Sequence, residues 1–191
     1  CMLVSKDELD TWQDRRRAHF INCLSGYKSA NLLGTQDKTG QTNLAIVSSV
    51  VHLGANPALV GLVIRPHSVS RHSLENLLET KCYTLNQVHR GIIEQAHQTS
   101  ARYDKQQSEF KEVNLTPLYT RFAAPYVAES RCRLGVQLQS TQTLVNGTEF
   151  VIGEIQEVYI EDEAAVAEDG FVDLARLNTA CVTGLDSYHE G

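Results

Sequence analysis

After residue 30, short apolar runs separated by polar and glycine-containing segments dominate the chain. Leu32-Leu33 leads into Gly34-Thr35, and Gln36-Asp37-Lys38-Thr39-Gly40 has the composition of a loop. Asn43 to Val47 predicts a strand. Ala58 to Ile64 is almost continuously apolar and short enough for a strand buried on both faces. Lys81 to Asn86 alternates apolar and polar positions. Cys132, Leu134, Val136 and Leu138 recur with period two, the spacing of a half-buried strand. Phe150 to Ile160 reads as its hairpin partner across Asn146-Gly147, a pair suited to a tight turn with positive φ. Helical signals are fewer. Residues 7–17 read as a short surface helix or arm. Leu74, Leu77 and Leu78 fall at i, i+3, i+4, with Ser73 placed as an N-cap, and Gly91 to Tyr103 carries Ile92, Ile93 and Ala96 on one face. Many short strands with two or three helices between them predict a β-barrel with helical insertions. No strand is followed by GxGxxG, so a Rossmann domain is not expected.

The length of 191 residues fits one domain spanning 1–191, with no Pro- or Ser-rich linker to divide it. A net charge of -6 argues against nucleic acid or an anionic membrane surface as partner. No stretch approaches the ~20 apolar residues of a membrane helix. The opening CMLVSKDELDTWQDRRR lacks the basic-then-apolar order of a secretory signal. Cys1, Cys23, Cys82, Cys132 and Cys181 are odd in number, widely spaced and form no CxxC. These features lead to the expectation of a cytoplasmic protein with free thiols and no structural zinc. The seven histidines form no HExxH-like ligand pattern, so no metal is expected.

Candidate chemistry concentrates in Arg65-Pro66-His67-Ser68-Val69-Ser70-Arg71-His72-Ser73, which follows the buried strand and opens a helix. Two arginines, two histidines and three hydroxyls within nine residues are conspicuous in an acidic protein. A helix start offers free N–H groups and the positive end of a dipole, which favour phosphate. Arg71 can present a planar fork, and His72 and Ser73 further donors. The same residues also fit a surface loop in which Ser73 only caps the helix. Asn43, Ser48 and Ser49 flank an apolar run and suit the polar edge of a planar heterocycle, or simply the end of a strand. Lys28, beside Ser29, is placed to set a cation near an anionic ring, or to be solvated.

Taken in order, these stretches resemble the flavin-reductase-like family of FMN-binding split barrels. The pattern runs through Ala30–Thr35, Gln36–Gly40, Asn43-Leu44-Ala45 and Ser48-Ser49. It continues through Asn56-Pro57 before the apolar strand, Arg71-His72-Ser73 with Asn76-Leu77, and a strand ending in Asn86. Ala124-Pro125-Tyr126, Gly153-Glu154-Ile155, Asp169-Gly170-Phe171 and Gly184-Leu185-Asp186-Ser187-Tyr188 extend it over roughly residues 18–189. The resemblance implies a mainly β fold, a Greek-key-like split β-barrel with a few short helices. It implies a homodimer with non-covalent FMN, or FAD in its place, near the interface. It further implies either a flavin reductase taking hydride from NAD(P)H, serving a partner oxygenase or another electron acceptor, or a flavoredoxin-like carrier without enzymatic activity. Carried onto this chain, the phosphate falls to Arg71, His72 and Ser73 with Arg65. The ring edge falls to Asn43, Ser48 and Ser49, with Lys28 and Ser29 nearby. Arg65 and the histidines are also candidates for a nicotinamide phosphate.

Overall fold

The computed structural model describes residues 1–65, 71–101 and 108–191, with Arg71 described through its backbone only. Two short polar helices open the chain, α1 (Lys6–Thr11) and α2 (Asp14–Cys23). The single short helix expected over 7–17 is therefore a pair, and the second runs on to Cys23. Neither buries a residue fully, so both are surface elements, as their polar composition requires. Trp12 packs edge-on against Phe20 and carries Arg16 over its ring at 3.9 Å.

Strands follow in quick succession: β1 (Lys28–Ser29), β2 (Asn31–Gln36), β3 (Thr42–Val47), β4 (Val51–Ala55) and β5 (Ala58–Ile64). After α3 (Arg71–Thr80) comes β6 (Cys82–Gln87), then α4 (Ile93–Gln98) and α5 (Glu109–Glu112). The chain closes with β7 (Pro117–Leu118), β8 (Tyr126–Val127), β9 (Cys132–Thr143), β10 (Glu149–Ile160), β11 (Ala180–Thr183) and β12 (Ser187–Glu190). Seven strands form one antiparallel sheet in the order β3-β2-β6-β9-β10-β5-β4. The chain thus places β2–β3 at one end, β4–β5 at the other, and inserts the long β9–β10 hairpin between them. Consecutive elements that end up non-adjacent give the Greek-key-like character expected of the split barrel.

The sheet curls until its two ends share a core. Val47 of β3 clusters with Val60, Leu62 and Ile64 of β5, Tyr83 and Leu85 of β6, Val136 of β9 and Val151 of β10. A second cluster lies on the outer face, where Leu32 and Leu44 meet Ile92, Ala96 and Phe110. Leu32 points outward and Leu33 inward, and both are fully buried. Successive strand residues face opposite sides, so β2 has no alternating pattern because helices cover its back. Gly153 makes the interior passable. A Cβ there would collide with the Tyr83 hydroxyl and with Val136.

The β9–β10 turn is tight, and the positive φ expected at Asn146-Gly147 falls on one of the two residues. The Gly147 N–H donates to Leu144 O (2.9 Å) and the Leu144 N–H to Thr148 O (2.7 Å). Only Gly147 of the Asn-Gly pair is left-handed, at φ 82°. This is a three-residue loop in which Gly supplies the positive φ and the Asn146 carboxamide accepts from the Thr148 N–H. The helix from Gly91 is also shorter than its periodicity suggested. A 3-10 turn precedes α4, and the Thr99 hydroxyl donates back to Ala96 O at 2.7 Å, just past the last helical residue. Its expected extension to Tyr103 lies outside the described residues from 102 on.

The two end strands are treated differently. On β3 the outward N–H of Leu44 donates to Glu109 (3.3 Å) and that of Ile46 to the Thr99 hydroxyl (2.8 Å). Side chains from the α4–α5 region thus cap this edge. On β4, Val51, His52 and Leu53 are all exposed. Among the described residues no helix is long and apolar enough to cross a membrane.

Candidate functional site

The end strands β3 and β4 are joined by three residues, Ser48-Ser49-Val50. A barrel split at this point leaves a concave junction, and a cleft of about 750 Å³ occupies it. That volume suits a bound cofactor. Its floor is Ile46, Val47, Ser48, Ser49, Val50 and Val51, with Val63 and Arg65 from the end of β5. One wall is the C-terminal end of α2 (Ile21, Asn22, Ser25) with Tyr27, Lys28 and Ser29, and the far lip is Gly184-Leu185. The lining is largely aliphatic with a few polar groups, the mixture a flat heterocycle with one polar edge requires.

Lys28, Ser29, Ser49 and Arg65 each have a structural tie that aims them. The Ser49 hydroxyl donates to Val63 O (2.9 Å) and accepts from the Val63 N–H (3.3 Å). It staples the short linker to β5 and so holds the cleft floor in place. The Lys28 ammonium donates to Asn22 O (2.9 Å) and Gly184 O (3.2 Å). It draws together the end of α2 and the β11–β12 turn, two walls 162 residues apart in sequence (184 - 22). An ammonium has three protons, so one remains for the cleft. Ser29 donates to Val50 O at 3.4 Å and accepts from Asn31. Arg65 is exposed and its guanidinium donates to Asn22 Oδ1 at 3.2 Å.

Five of the nine residues singled out in the sequence therefore meet at one cleft: Lys28, Ser29, Ser48, Ser49 and Arg65. Asn43 and Ser73 do not line it. They lie beneath the surface and bond each other, the Ser73 hydroxyl donating to Asn43 Oδ1 at 2.7 Å. Their exposures are 3% and 0%. The helix α3 is already formed at Arg71, so Ser73 sits inside its first turn rather than capping it. His72 is half-buried and off the cleft lining. The side chain of Arg71 lies outside the described residues, as do His67, Ser68 and Ser70 of the same basic stretch. Glu75 is exposed.

Sequence reasoning missed Ile21, Asn22 and Glu109, and gave Gly184-Leu185 no place in the site. Asn22 is tied to the cleft by Lys28 and Arg65, and Gly184 by Lys28 and the pairing of β1 with β11, which sets Lys28 opposite Val182. Glu109 accepts from Asn43 Nδ2 (3.0 Å) and is 5% exposed; burial raises its carboxyl above the usual range. Among the described residues no group of His, Cys, Asp and Glu could hold a metal ion. The five cysteines are free thiols.

The family profile of the flavin reductase like domain matches residues 24–175. No curated protein sequence matches the chain significantly. Among solved structures, a candidate flavin reductase with a split barrel domain from Shewanella frigidimarina is 55% identical. The match covers 100% of this chain and 96% of that one with a TM-score of 0.96. Nitrilotriacetate monooxygenase component B from Bacillus cereus is 17% identical over 100% of this chain and 96% of its own, with a TM-score of 0.88. Flavoredoxin of Desulfovibrio vulgaris is 19% identical, covering 87% of each chain, with a TM-score of 0.75. The last two show likeness of fold.

Proposed function

Because the chain belongs to the flavin reductase like family, we propose that it holds FMN without a covalent bond in the cleft at the barrel split and passes hydride from NAD(P)H to flavin. The observation that carries this reading is the cleft itself: a largely aliphatic trough of about 750 Å³ lined also by Lys28, Ser29, Ser48, Ser49 and Arg65, with both cations bonded to Asn22. Flavin needs an apolar slot for its fused rings, donors and acceptors at its pyrimidine edge, and a cation for its phosphate. The donor set fits. Lys28, Ser29, Ser48 and backbone groups of the β3–β4 linker serve the ring edge. Arg65 serves the phosphate where the cofactor runs past the cleft lining toward the first turn of α3 at His72.

When bound, the flavin supplies the redox chemistry, accepting electrons as hydride or one at a time. The protein's own work is positional. Ser49 fixes the floor, Lys28 holds two walls together and lends positive charge to the ring edge, and the valines exclude water from one face. The other face stays open to a donor, and no proton-transferring side chain is required. FAD is the alternative cofactor, and a partner oxygenase or another electron acceptor takes the product. The chain lacks a nicotinamide fingerprint such as GxGxxG. This absence does not separate the reductase from the second reading, a carrier that exchanges electrons with proteins alone. Anaerobic titration of the FMN-loaded protein with NADH and then NADPH separates the two. Bleaching of the yellow colour by either supports the reductase. A loaded protein that neither nucleotide bleaches overturns that reading in favour of the carrier.

The β4 end of the sheet, with Val51, His52 and Leu53 exposed and no strand paired beyond it among the described residues, supports the homodimer. Val51 lines the cleft and begins this strand, so a second copy seated there would border the flavin.

A further inference from the structure

Off the cleft lining, three buried side chains from three elements form a chain of hydrogen bonds with one direction. Glu109 of α5 accepts from Asn43 Nδ2 at 3.0 Å and from the Leu44 N–H at 3.3 Å, so both carboxylate oxygens are engaged. Asn43 of β3 then accepts the Ser73 hydroxyl of α3 at 2.7 Å. The exposures are 5%, 3% and 0%. A carboxylate can only accept. It therefore forces the amide of Asn43 to turn its NH₂ inward to Glu109 and its oxygen to Ser73. Ser73 must in turn spend its proton on Asn43. A neighbouring bond from Asn76 Nδ2 to the Thr35 hydroxyl (3.2 Å) pins the next turn of α3 to β2, but it has no charged end to set its direction.

We infer that Glu109 is a positioning residue for the phosphate end of the flavin site, acting through Asn43 and Ser73 to set the first turn of α3. This rests on the reading that the phosphate meets that turn. The polarity of the relay identifies Glu109 as more than packing. An isosteric amide at 109 offers one acceptor where two donors converge. Asn43 must then flip, and its NH₂ rather than its oxygen meets Ser73. The reversed relay leaves volume and burial unchanged while releasing Ser73 from its fixed geometry.

Dissociation constants of FMN and riboflavin, measured side by side on the wild type, Glu109→Gln, Ser73→Ala and the double variant, test the inference. Riboflavin shares the ring and ribityl chain and lacks the phosphate. In Glu109→Gln the FMN constant should rise about tenfold while the riboflavin constant moves less than about twofold, the cost of one misplaced charge-assisted contact. In the Ser73→Ala background, Glu109→Gln should add nothing. Acidification gives a second readout. The groups of β3 bonded to Glu109 are the neutral Asn43 and Leu44, Thr42 bonding Ser108 beside it, and that of α3, through Asn43, is Ser73. The titratable neighbours in sequence are His72 and Glu75 on α3 and Lys111 and Glu112 on α5. Protonating Glu109 should reproduce the loss of FMN preference in the wild type and not in Glu109→Gln, the phosphate's own titration being common to both. Equal weakening of both ligands, or of neither, overturns the inference while leaving the phosphate placement intact. A wild type that binds FMN and riboflavin alike overturns the placement itself. Should Glu109→Gln fail to fold, the pH series on wild type and Ser73→Ala decides: a pH-dependent preference that persists in Ser73→Ala overturns the relay.

Discussion

Replacing Lys28 by Met keeps the length and apolar stem of the side chain and removes only the ammonium. Two carbonyls lose a charged donor, Asn22 O at 2.9 Å and Gly184 O at 3.2 Å. A hydrogen bond to a charged group contributes ~1.5–3 kcal/mol when nothing replaces it. Here Lys28 is only half-buried and the cleft is open to water, so water recovers part of that loss. We expect a net destabilisation of about 1–2 kcal/mol in the flavin-free protein, or roughly 2–8 °C in melting temperature for a chain of this size. Binding should suffer separately, because the tie sets the spacing of α2 and the β11–β12 turn and because a positive charge leaves the ring edge. FMN and riboflavin should weaken together, each by about tenfold, equivalent to ~1.4 kcal/mol. Fluorescence quenching titrations of both flavins, with scanning calorimetry of the flavin-free protein alongside, measure the two effects. A variant that loses FMN but not riboflavin would place Lys28 at the phosphate and reverse the proposed polarity of the cleft. A variant that melts lower yet binds both flavins normally would show that the cleft is not the flavin site.

Gly153→Ala should destabilise the fold by ~1–3 kcal/mol, since the new methyl meets the Tyr83 hydroxyl and Val136 in a filled interior; chemical denaturation of the flavin-free protein checks it. His89 is 6% exposed; its Nδ1 accepts from the Gly91 N–H (3.0 Å), so its Nε2 donates to Glu129 O (2.8 Å). Burial, the largest influence, holds this imidazole below its ordinary value. The unfolded chain therefore binds the proton first, and the His89 contribution is complete above about pH 6.5 and is lost as pH falls below it. His89→Gln should flatten that part of the stability–pH curve, and an unchanged slope would count against it. Sedimentation equilibrium should return twice the 21.2 kDa chain mass, and Val51→Lys with Leu53→Lys should return the monomer. A monomeric wild type at micromolar concentration would remove the case for pairing through β4.

What was legible in the sequence divides along the range of the forces involved. Ala58–Ile64 and the Cys132–Leu138 alternation are strands because burial on both faces, or on one, writes itself into consecutive residues. The α3 stripe was only half visible. Leu77 is fully buried, but Leu78 is exposed and the inner face is completed by Ser73 and Asn76. A hydrophobic period cannot register a helix that docks through polar groups. The same limit applies to the site. Ser48, Ser49 and Arg65 lie close along the chain on either side of the split, so local composition flagged them. Asn43 and Ser73 carried the same polar signal, yet their partner is Glu109, whose burial is decided by β3 and α5 meeting across 65 residues. Gly184 joins the cleft for an equally remote reason, the antiparallel match of β1 with β11.

The unequal edges of the large sheet bear on how many copies can assemble. An end strand is a connector, and a sheet with two free ends can be extended without limit. Here Glu109 and Thr99 stop up one connector, which among the described residues leaves β4 as the open end of the seven-stranded sheet. Two such sheets joined at β4 consume each other's opening, and the rotation that joins them closes the set. Growth by strand addition through this sheet then ends at two copies, and removing the Thr99 hydroxyl or the Glu109 carboxylate would open a second port.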